Sequence, residues 1–454
     1  MGYRPAIGII GCGYVGLTLA AVLAAAGYRV HAIESDPARL RALKSGKSFF
    51  YEAGADALIR HGLNSNTLLP GSRFDALSAC NIVFSCVGTP DNPDGSSNLS
   101  YVFAAAQEAA RSMQPEAIFV QKSTVPVGTG ARIAKLFQAS KQITYVSCPE
   151  FSREGTAIRD TLWFDRIIAG SDTPQAAKQV LAIHKTIEQQ RDAIADIASL
   201  SQPTTYSNAQ YIHTTVSSAE LIKVTANAFL ALKISFANSI AKLADAANAD
   251  ITAVMDGAGS DRRIGRAFLQ AGRGYGGGCF PKDVSGLIRS AEDHGVDMEI
   301  MHAATAVNES MPHYIIQKAQ KCLGPDNSVW RGKKAAVLGM SFKAGTSDTR
   351  RSPAITIANT LADLGAIVYA FDPEAMDEAK PLLGQSIQPA KNTNEAVADA
   401  TAIFVATDWQ DFISLNWTIV AENAPNAVVV DCMNRLDNTA VRTAGLQYVG
   451  VGRS

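Results

Sequence analysis

Neither sign of charge dominates this chain of 454 residues: 41 lysines and arginines stand against 42 aspartates and glutamates, a formal charge of −1. With no block of like charge there is no electrostatic footprint for nucleic acid or for a membrane surface, and neither is expected as a partner. Cysteine is sparse. The seven, at positions 12, 80, 86, 148, 279, 322 and 432, are scattered, odd in number and form no Cys-x-x-Cys pair. That usage fits the reduced thiols of a cytoplasmic protein and not a disulfide framework or a zinc site. The seven histidines are equally dispersed, so no metal is expected. Met1-Gly2 lacks the Ser or Thr at position 6 that N-myristoylation favours. The apolar run from Ala6 to Gly27 imitates a signal sequence, but its glycines obey a different pattern. What the chain has in quantity is apolar residues, 47% against 18% charged, the balance of a soluble globular protein. Its length exceeds one ordinary core, so two or three domains are expected.

Ala6 to Ile10 reads as a short strand, followed by Gly11-Cys12-Gly13-Tyr14-Val15-Gly16 and a helical run to Ala26. Gly27 stops that helix, Tyr28 to Ile33 forms a second strand, and Glu34 closes it 18 residues after Gly16. Strand, glycine turn, helix, strand and acid together make the dinucleotide-binding unit in its proper context. The glycines allow the tight turn and let a pyrophosphate approach the helix start. Glu34 is placed to accept from the adenosine ribose hydroxyls and would repel a 2′-phosphate. NAD is therefore favoured over NADP, with nearby Arg39 the one residue that pulls the other way. Further strands are expected at Ile82–Val87, Ile118–Gln121 and Thr144–Ser147. Each runs into a polar or Gly/Pro loop: Gly88-Thr89-Pro90, Ser123-Thr124-Val125-Pro126, and Cys148-Pro149-Glu150. In open α/β sheets such loops line the ligand crevice.

Ser217 to Asn248 has no proline or glycine and repeats apolar residues at helical spacing, which predicts one long helix. Lys223 and Asn227, four apart, share a face of it, with Glu220 a turn earlier. Pro312 to Pro325 reads as the exit from this middle region. Strands at Ala335–Leu338, Ile367–Phe371, Ile403–Ala406 and Val428–Asp431, spaced by helices, then form a second α/β segment. Its first strand ends Gly339-Met340-Ser341-Phe342-Lys343 without a dinucleotide fingerprint, so it should bind something other than NAD. Residues 188–215 are polar and have no clear pattern. The expected fold is α/β: two Rossmann-like doubly wound domains, 1–212 and 319–454, joined by a central helical domain, 213–318.

The decisive stretch is Gly274-Tyr275-Gly276-Gly277-Gly278-Cys279-Phe280-Pro281-Lys282-Asp283. It sets one cysteine in a glycine run, just before a helix that Pro281 is suited to open. A thiol at a helix start beside Lys282 is expected to react as thiolate. A plain alcohol dehydrogenase has no use for such a group. Oxidation of an alcohol through to an acid does, because the intermediate aldehyde can be held covalently, give up a second hydride and leave a thioester for water to hydrolyse.

Taken together these motifs resemble the nucleotide-sugar 6-dehydrogenases, the branch that includes UDP-glucose and GDP-mannose dehydrogenases. The likeness covers nearly the whole chain. It rests on the fingerprint, Val87-Gly88-Thr89-Pro90, and Ser123-Thr124-Val125-Pro126-Val127-Gly128-Thr129. Pro149-Glu150-Phe151-Ser152-Arg153-Glu154-Gly155, Glu220 to Asn227, Arg263-Ile264-Gly265, the cysteine loop, and Phe342-Lys343 with Arg350 extend it. The resemblance implies Cys279 as nucleophile, Lys223 and Asn227 holding the oxyanion at C6, and Asp283 as base or water activator. Thr124 and Glu154 would position water and assist the first proton removal. It implies NAD contacts from Gly11, Gly13, Tyr14, Val15, Gly16, Glu34, Arg39, Gly88, Thr89, Ser123, Thr124, Glu154 and Lys282. For the sugar nucleotide it implies Phe151, Ser152, Arg153, Glu154, Lys223, Asn227, Phe268, Leu269, Gly272, Tyr275, Gly276, Phe342 and Lys343. Arg263 would reach the substrate across a homodimer interface built on the central helix. Three positions depart from the family pattern: Ser152 stands for leucine, Ser347 for aspartate, and Asp431-Cys432-Met433-Asn434 for Asp-Gly-Arg-Asn. The implied activity is oxidation of UDP-glucose to UDP-glucuronate. Another nucleotide hexose, a two-electron hydroxyacid-type dehydrogenase and a non-catalytic sensor are the alternatives left open.

Overall fold

The computed structural model describes residues 4–139, 142–204, 206 and 208–453; Met1 and Gly2, read above for acylation, lie outside the described residues. The chain forms two compact units, Met1–Ala226 with Ser285–His294, and Asn227–Val284 with Gly295–Ser454.

The first unit is built on a sheet of eight strands: β1 Ile7–Ile10, β2 Val30–Ile33, β3 Leu68–Gly71, β4 Ile82–Ser85, β5 Ile118–Gln121, β6 Thr144–Ser147, β7 Arg166–Gly170 and β8 Gln210–Thr214. Their order is β3-β2-β1-β4-β5-β6-β7-β8. The first six are parallel, β6 meets β7 antiparallel, and β7 and β8 are parallel again. Successive residues point to opposite faces of a strand. Ile7 and Ile9 accordingly enter one core with Val30, Phe84 and Val120, while Ile10, Val83 and Phe119 enter another. Both faces are apolar, so both must be covered, and the sequence answers with helices on each side.

The second unit carries six strands, β9 Lys334–Leu338, β10 Ile367–Phe371, β11 Gln388–Pro389, β12 Ala402–Val405, β13 Val428–Asp431 and β14 Gln447–Gly450, all parallel in the order β11-β10-β9-β12-β13-β14. In each sheet the order reverses beside its first strand, the switch point at which doubly wound sheets place their ligands. The expected α/β architecture, with two such sheets and a long central helix, is what the structure has.

Differences from expectation have local causes. The helix Glu299–Leu323 runs through Pro312, the first residue of the stretch Pro312 to Pro325 expected to lead out of the middle region. Pro312 is buried, and the carbonyl that loses its bond there, four residues back at Asn308, faces Gly274, whose Cβ would stand 3.2 Å from it. The uninterpreted stretch 188–215 holds the end of the helix Pro174–Ala198 and the strand β8.

The predicted long helix is present as Val216–Ala247. It is apolar and long enough to pass for a membrane span, yet it buries Glu220, Lys223, Asn227, Ser235 and Asn238. Glu220 shows why these are needed. The helix Thr129–Gln138 begins at Gly128, which has no side chain to cap it. The Gly128 and Gly130 amides instead donate to Glu220 at 2.8 and 2.7 Å. Burial pushes the Glu220 acid up to about 7, against the pull of those two amides. A raised carboxyl pKa contributes stability at acid pH that is lost as pH rises from the unfolded value, near 4.5, through 7. Glu220→Gln should therefore lack a slope that the parent chain has in this window, at most about 1.4 kcal/mol per pH unit for one proton. Urea unfolding at several pH values checks it; parallel stability curves for the two proteins would refute the assignment.

Candidate active site

In the first unit the glycine turn follows β1. Gly11 is left-handed at φ +83°, and a Cβ on Gly16 would lie 1.9 Å from the Gly11 carbonyl oxygen, so both positions demand glycine. The helix Tyr14–Ala25 starts without a side-chain cap or an acid in its first turn, and nothing stands where a Cβ on Gly13 would be. Such a start suits a phosphate. Glu34, at the end of β2, is buried and accepts from Cys12 N–H at 3.1 Å and Asp36 N–H at 2.8 Å, which aims its carboxylate beside the turn. These residues fit a dinucleotide. Arg39 is exposed, its guanidinium 4.5 Å from the Phe49 ring, and Phe49 and Phe50 in turn pack on Tyr14.

The loops after β4, β5 and β6 form one hydrogen-bonded rim. Ser123 Oγ donates to the Val87 carbonyl at 2.6 Å, drawing two of the predicted loops together, with Gly88 exposed, Thr89 buried and Thr124 partly buried. Sequence reasoning missed the pair that holds the third loop. Lys122 is buried and its Nζ lies 3.0 Å from Glu150, whose other oxygen accepts from Phe151 and Ser152 N–H at 2.8 and 2.7 Å. Burial would raise the Glu150 acid, but Lys122 and those amides hold it down at about 2. A lysine directly before Ser123, at the inner end of an apolar strand, was the available signal. Lys223 is buried with its ammonium 5.2 Å from the Phe151 ring, and Glu154 Oε2 is buried nearby in sequence. Arg153, read as a substrate contact, is largely exposed and tied to Asp160 through Nε and Nη2 at 2.9 and 2.7 Å.

In the second unit Cys279 is exposed and directly precedes the helix Phe280–Asp293. Its carbonyl accepts the Asp283 N–H at 2.8 Å, which makes it the cap residue; Pro281 is thus second in the helix, where its missing N–H costs nothing. Asp283 is buried one turn on. Asn227 Nδ2 donates to one of its oxygens at 2.6 Å and Lys282 Nζ to the other at 2.7 Å. Lys282, expected at the cofactor, is thereby engaged with Asp283. The three glycines before Cys279 are pressed by backbone and side chains of the same unit. A Cβ would meet the Arg351 carbonyl oxygen at 2.3 Å from Gly276, the Phe342 ring at 2.8 Å from Gly277, and the Arg350 guanidinium at 2.4 Å from Gly278.

Around this loop Tyr275 is buried and pinned through its backbone to the Asn308 side chain at 2.7 and 3.1 Å. Gly272 N–H is taken by Asn238 at 2.8 Å. Phe268 holds a positive φ of 65°, and its ring packs 6.1 Å from Phe280. The Leu269 side chain is buried in the second unit's core with Met255 and Ile315. Lys343 Nζ lies 5.6 Å from the Phe342 ring. Arg263 is exposed and bonded to Asp261 on its own turn, Nη2 to Oδ2 at 2.6 Å.

With this geometry the comparisons agree. Residues 5–188 match the NAD binding domain of the UDP-glucose/GDP-mannose dehydrogenase family, 217–310 its central domain and 336–438 its UDP binding domain. The chain belongs to that family. It is 37% identical over 453 residues to the UDP-glucose 6-dehydrogenase of Rhizobium meliloti (strain 1021), covering 98% of this chain and 99% of the relative. It is 36% identical to UDP-glucose 6-dehydrogenase TuaD of Bacillus subtilis (strain 168), covering 98% and 93%. The solved structure of a UDP-glucose dehydrogenase from Pyrobaculum islandicum, 33% identical, superposes with a TM-score of 0.88 over 100% of this chain and 98% of that one. The protein is an NAD-dependent oxidoreductase that takes a nucleotide sugar.

Five thiols, Cys12, Cys80, Cys86, Cys148 and Cys432, are buried, and burial pushes each of them up, Cys80 to about 12. Brief alkylation of the folded protein should label Cys279 and Cys322 alone. Cys279 should react first, because a helix start favours the thiolate whereas Cys322 sits in the last turn of its helix. Peptide mass spectrometry reads the order, and early labelling of a buried cysteine would contradict this packing.

Proposed function

We propose that the chain catalyses the four-electron oxidation of the C6 hydroxymethyl of UDP-glucose to UDP-glucuronate in the cytoplasm, through a covalent intermediate on Cys279. The observation that carries this is the accessible thiol at a helix start, one turn from a buried aspartate held by Asn227 and Lys282. The glycine turn, with Glu34 at the ribose, would hold NAD, and two NAD molecules bound in succession would each supply the acceptor for one hydride. The residues do the rest. Thr124 and Glu154, with a water between them, take the hydroxyl proton as the alcohol becomes aldehyde. The Cys279 thiolate then adds to C6: a C–S bond forms and the carbonyl electron pair moves to O6. Lys223 and Asn227 donate hydrogen bonds to that oxyanion, where a buried donor is worth most. When the second hydride leaves, the carbonyl re-forms as a thioester. Asp283 takes a proton from water, which attacks the thioester; the C–S bond breaks, and acid and thiolate are released. Phe151, Ser152, Phe268, Tyr275, Gly276, Phe342 and Lys343 would bind the sugar nucleotide.

The test is NADH formed per sugar consumed, with UDP-glucose offered against GDP-mannose, TDP-glucose and UDP-N-acetylglucosamine. Two NADH per UDP-glucose, and a fall in acid formation on the order of 10³-fold or more in Cys279→Ser, are expected. One NADH per sugar, or undiminished acid from the serine variant, would sink the covalent mechanism. Preference for another sugar would keep the chemistry and replace the substrate.

We also propose a homodimer through the long helix, with Arg263 reaching the partner's substrate. Support comes from Phe229, Phe236 and Leu243, which recur at seven-residue spacing and are 58, 53 and 63% exposed, and from Arg263 standing clear of the surface. An apolar stripe of this kind on a soluble chain marks an interface. Phe236→Glu with Leu243→Glu should give a monomer by sedimentation. A parent protein that is itself monomeric, or a variant that still dimerises, would refute it.

A further inference from the structure

The mechanism has no use for Arg273, the residue six before Cys279, yet it is among the largest fully buried side chains of the protein. Its guanidinium ends at the carboxyl edge of the second sheet, beside the switch point between β9 and β12. Nη2 donates to the Phe342 carbonyl at 2.8 Å, the Ser341 carbonyl at 3.2 Å and Thr407 Oγ1 at 3.3 Å. Nη1 reaches Ser352 Oγ at 3.3 Å, and Nε faces Met433 Sδ, also at 3.3 Å. The Arg273 amide donates to the Cys432 carbonyl at 2.8 Å, so backbone and side chain together tie the cysteine loop to the loops after β9, β12 and β13.

Every acceptor is neutral, and among the described residues no carboxylate bonds the guanidinium. Burial draws its pKa down to about 10, with Asp408 and Asp372 acting only at a distance, so it stays charged at neutral pH. An interior cation without a counter-ion is costly to keep and would not persist for packing alone. It leaves a standing positive field where a doubly wound sheet receives its ligand. Met433, against which it lies, occupies the position at which the family motif quoted above has arginine.

We propose that Arg273 is a positioning residue for the nucleoside diphosphate: it clamps the Ser341 and Phe342 carbonyls to Thr407, presents Phe342 and Lys343 to the nucleotide sugar, and supplies from within the positive charge that position 433 lacks. This rests on the reading of the second sheet as the nucleotide-sugar site.

The test compares the parent enzyme with Arg273→Met and Arg273→Lys. Arg273→Met should raise KM for UDP-glucose, and Kd for UDP by calorimetry, about 10-fold or more, with kcat at saturation and NAD affinity within about threefold. Arg273→Lys, which keeps the charge but not the planar fork, should fall between. An unchanged KM and UDP affinity in folded Arg273→Met overturns the proposal. So does a loss spread equally over kcat, KM and NAD affinity, the mark of a merely structural residue. If Arg273→Met does not fold, Thr407→Val, which removes one acceptor, decides by the same criteria. Should the parent enzyme turn over no UDP-glucose, the substrate assignment fails, and UDP affinity alone still judges Arg273.

Discussion

Close backbone approach, possible only where side chains are missing, sets the place of the exposed Cys279 thiol. Gly276, Gly277 and Gly278 lie against the Arg351 carbonyl, the Phe342 ring and the Arg350 guanidinium. The same contact sets the start of the helix Phe280–Asp293, and the helix start places Asp283 one turn from Cys279. Asn227 and Lys282 then fix that carboxylate from two sides. Backbone geometry thus comes before electrostatics here: the charges are useful because the loop has no freedom to present them otherwise.

The two sheets solve the same problem with different chemistry. In both, the chain reverses beside its first strand and opens a crevice at the carboxyl edge. The first fills its edge with glycine and a helix start, plus the rim held by Ser123 and by the Lys122–Glu150 pair. The second has no fingerprint and is instead threaded by the cysteine loop, with Arg273 among its turns. One crevice presents the bare amide hydrogens of a helix start, and the other holds a buried side-chain cation among its turns.

Much of this was legible in the sequence where local rules decide. The fingerprint, the apolar parallel strands and the long proline-free helix carry their own periodicity, and the cysteine loop carries its chemistry in its composition. Legibility failed where tertiary contact overrides local signal. β8 has mixed polarity because it ends the sheet, and only its pairing with β7 makes it a strand. Pro312 opens the stretch read as the exit from the middle region, but a buried helix packed on its neighbours accepts it. Lys122 and Arg273 look like surface residues by type; their burial depends on partners 27 and more than 60 residues away.

The three glycines before the thiol also differ in how far they can drift over evolutionary time. At Gly276 the obstacle is main chain, the Arg351 carbonyl oxygen, which no rotamer change removes. At Gly278 it is the tip of a half-exposed arginine, held in place by Asp348 through Nε and Nη2 at 2.9 and 2.6 Å. A small side chain at 278 is therefore admissible once residue 350 or its aspartate changes, whereas none is at 276. Positions 278, 348 and 350 should covary across relatives as an epistatic trio, while 276 stays fixed whatever sugar the lineage has come to oxidise.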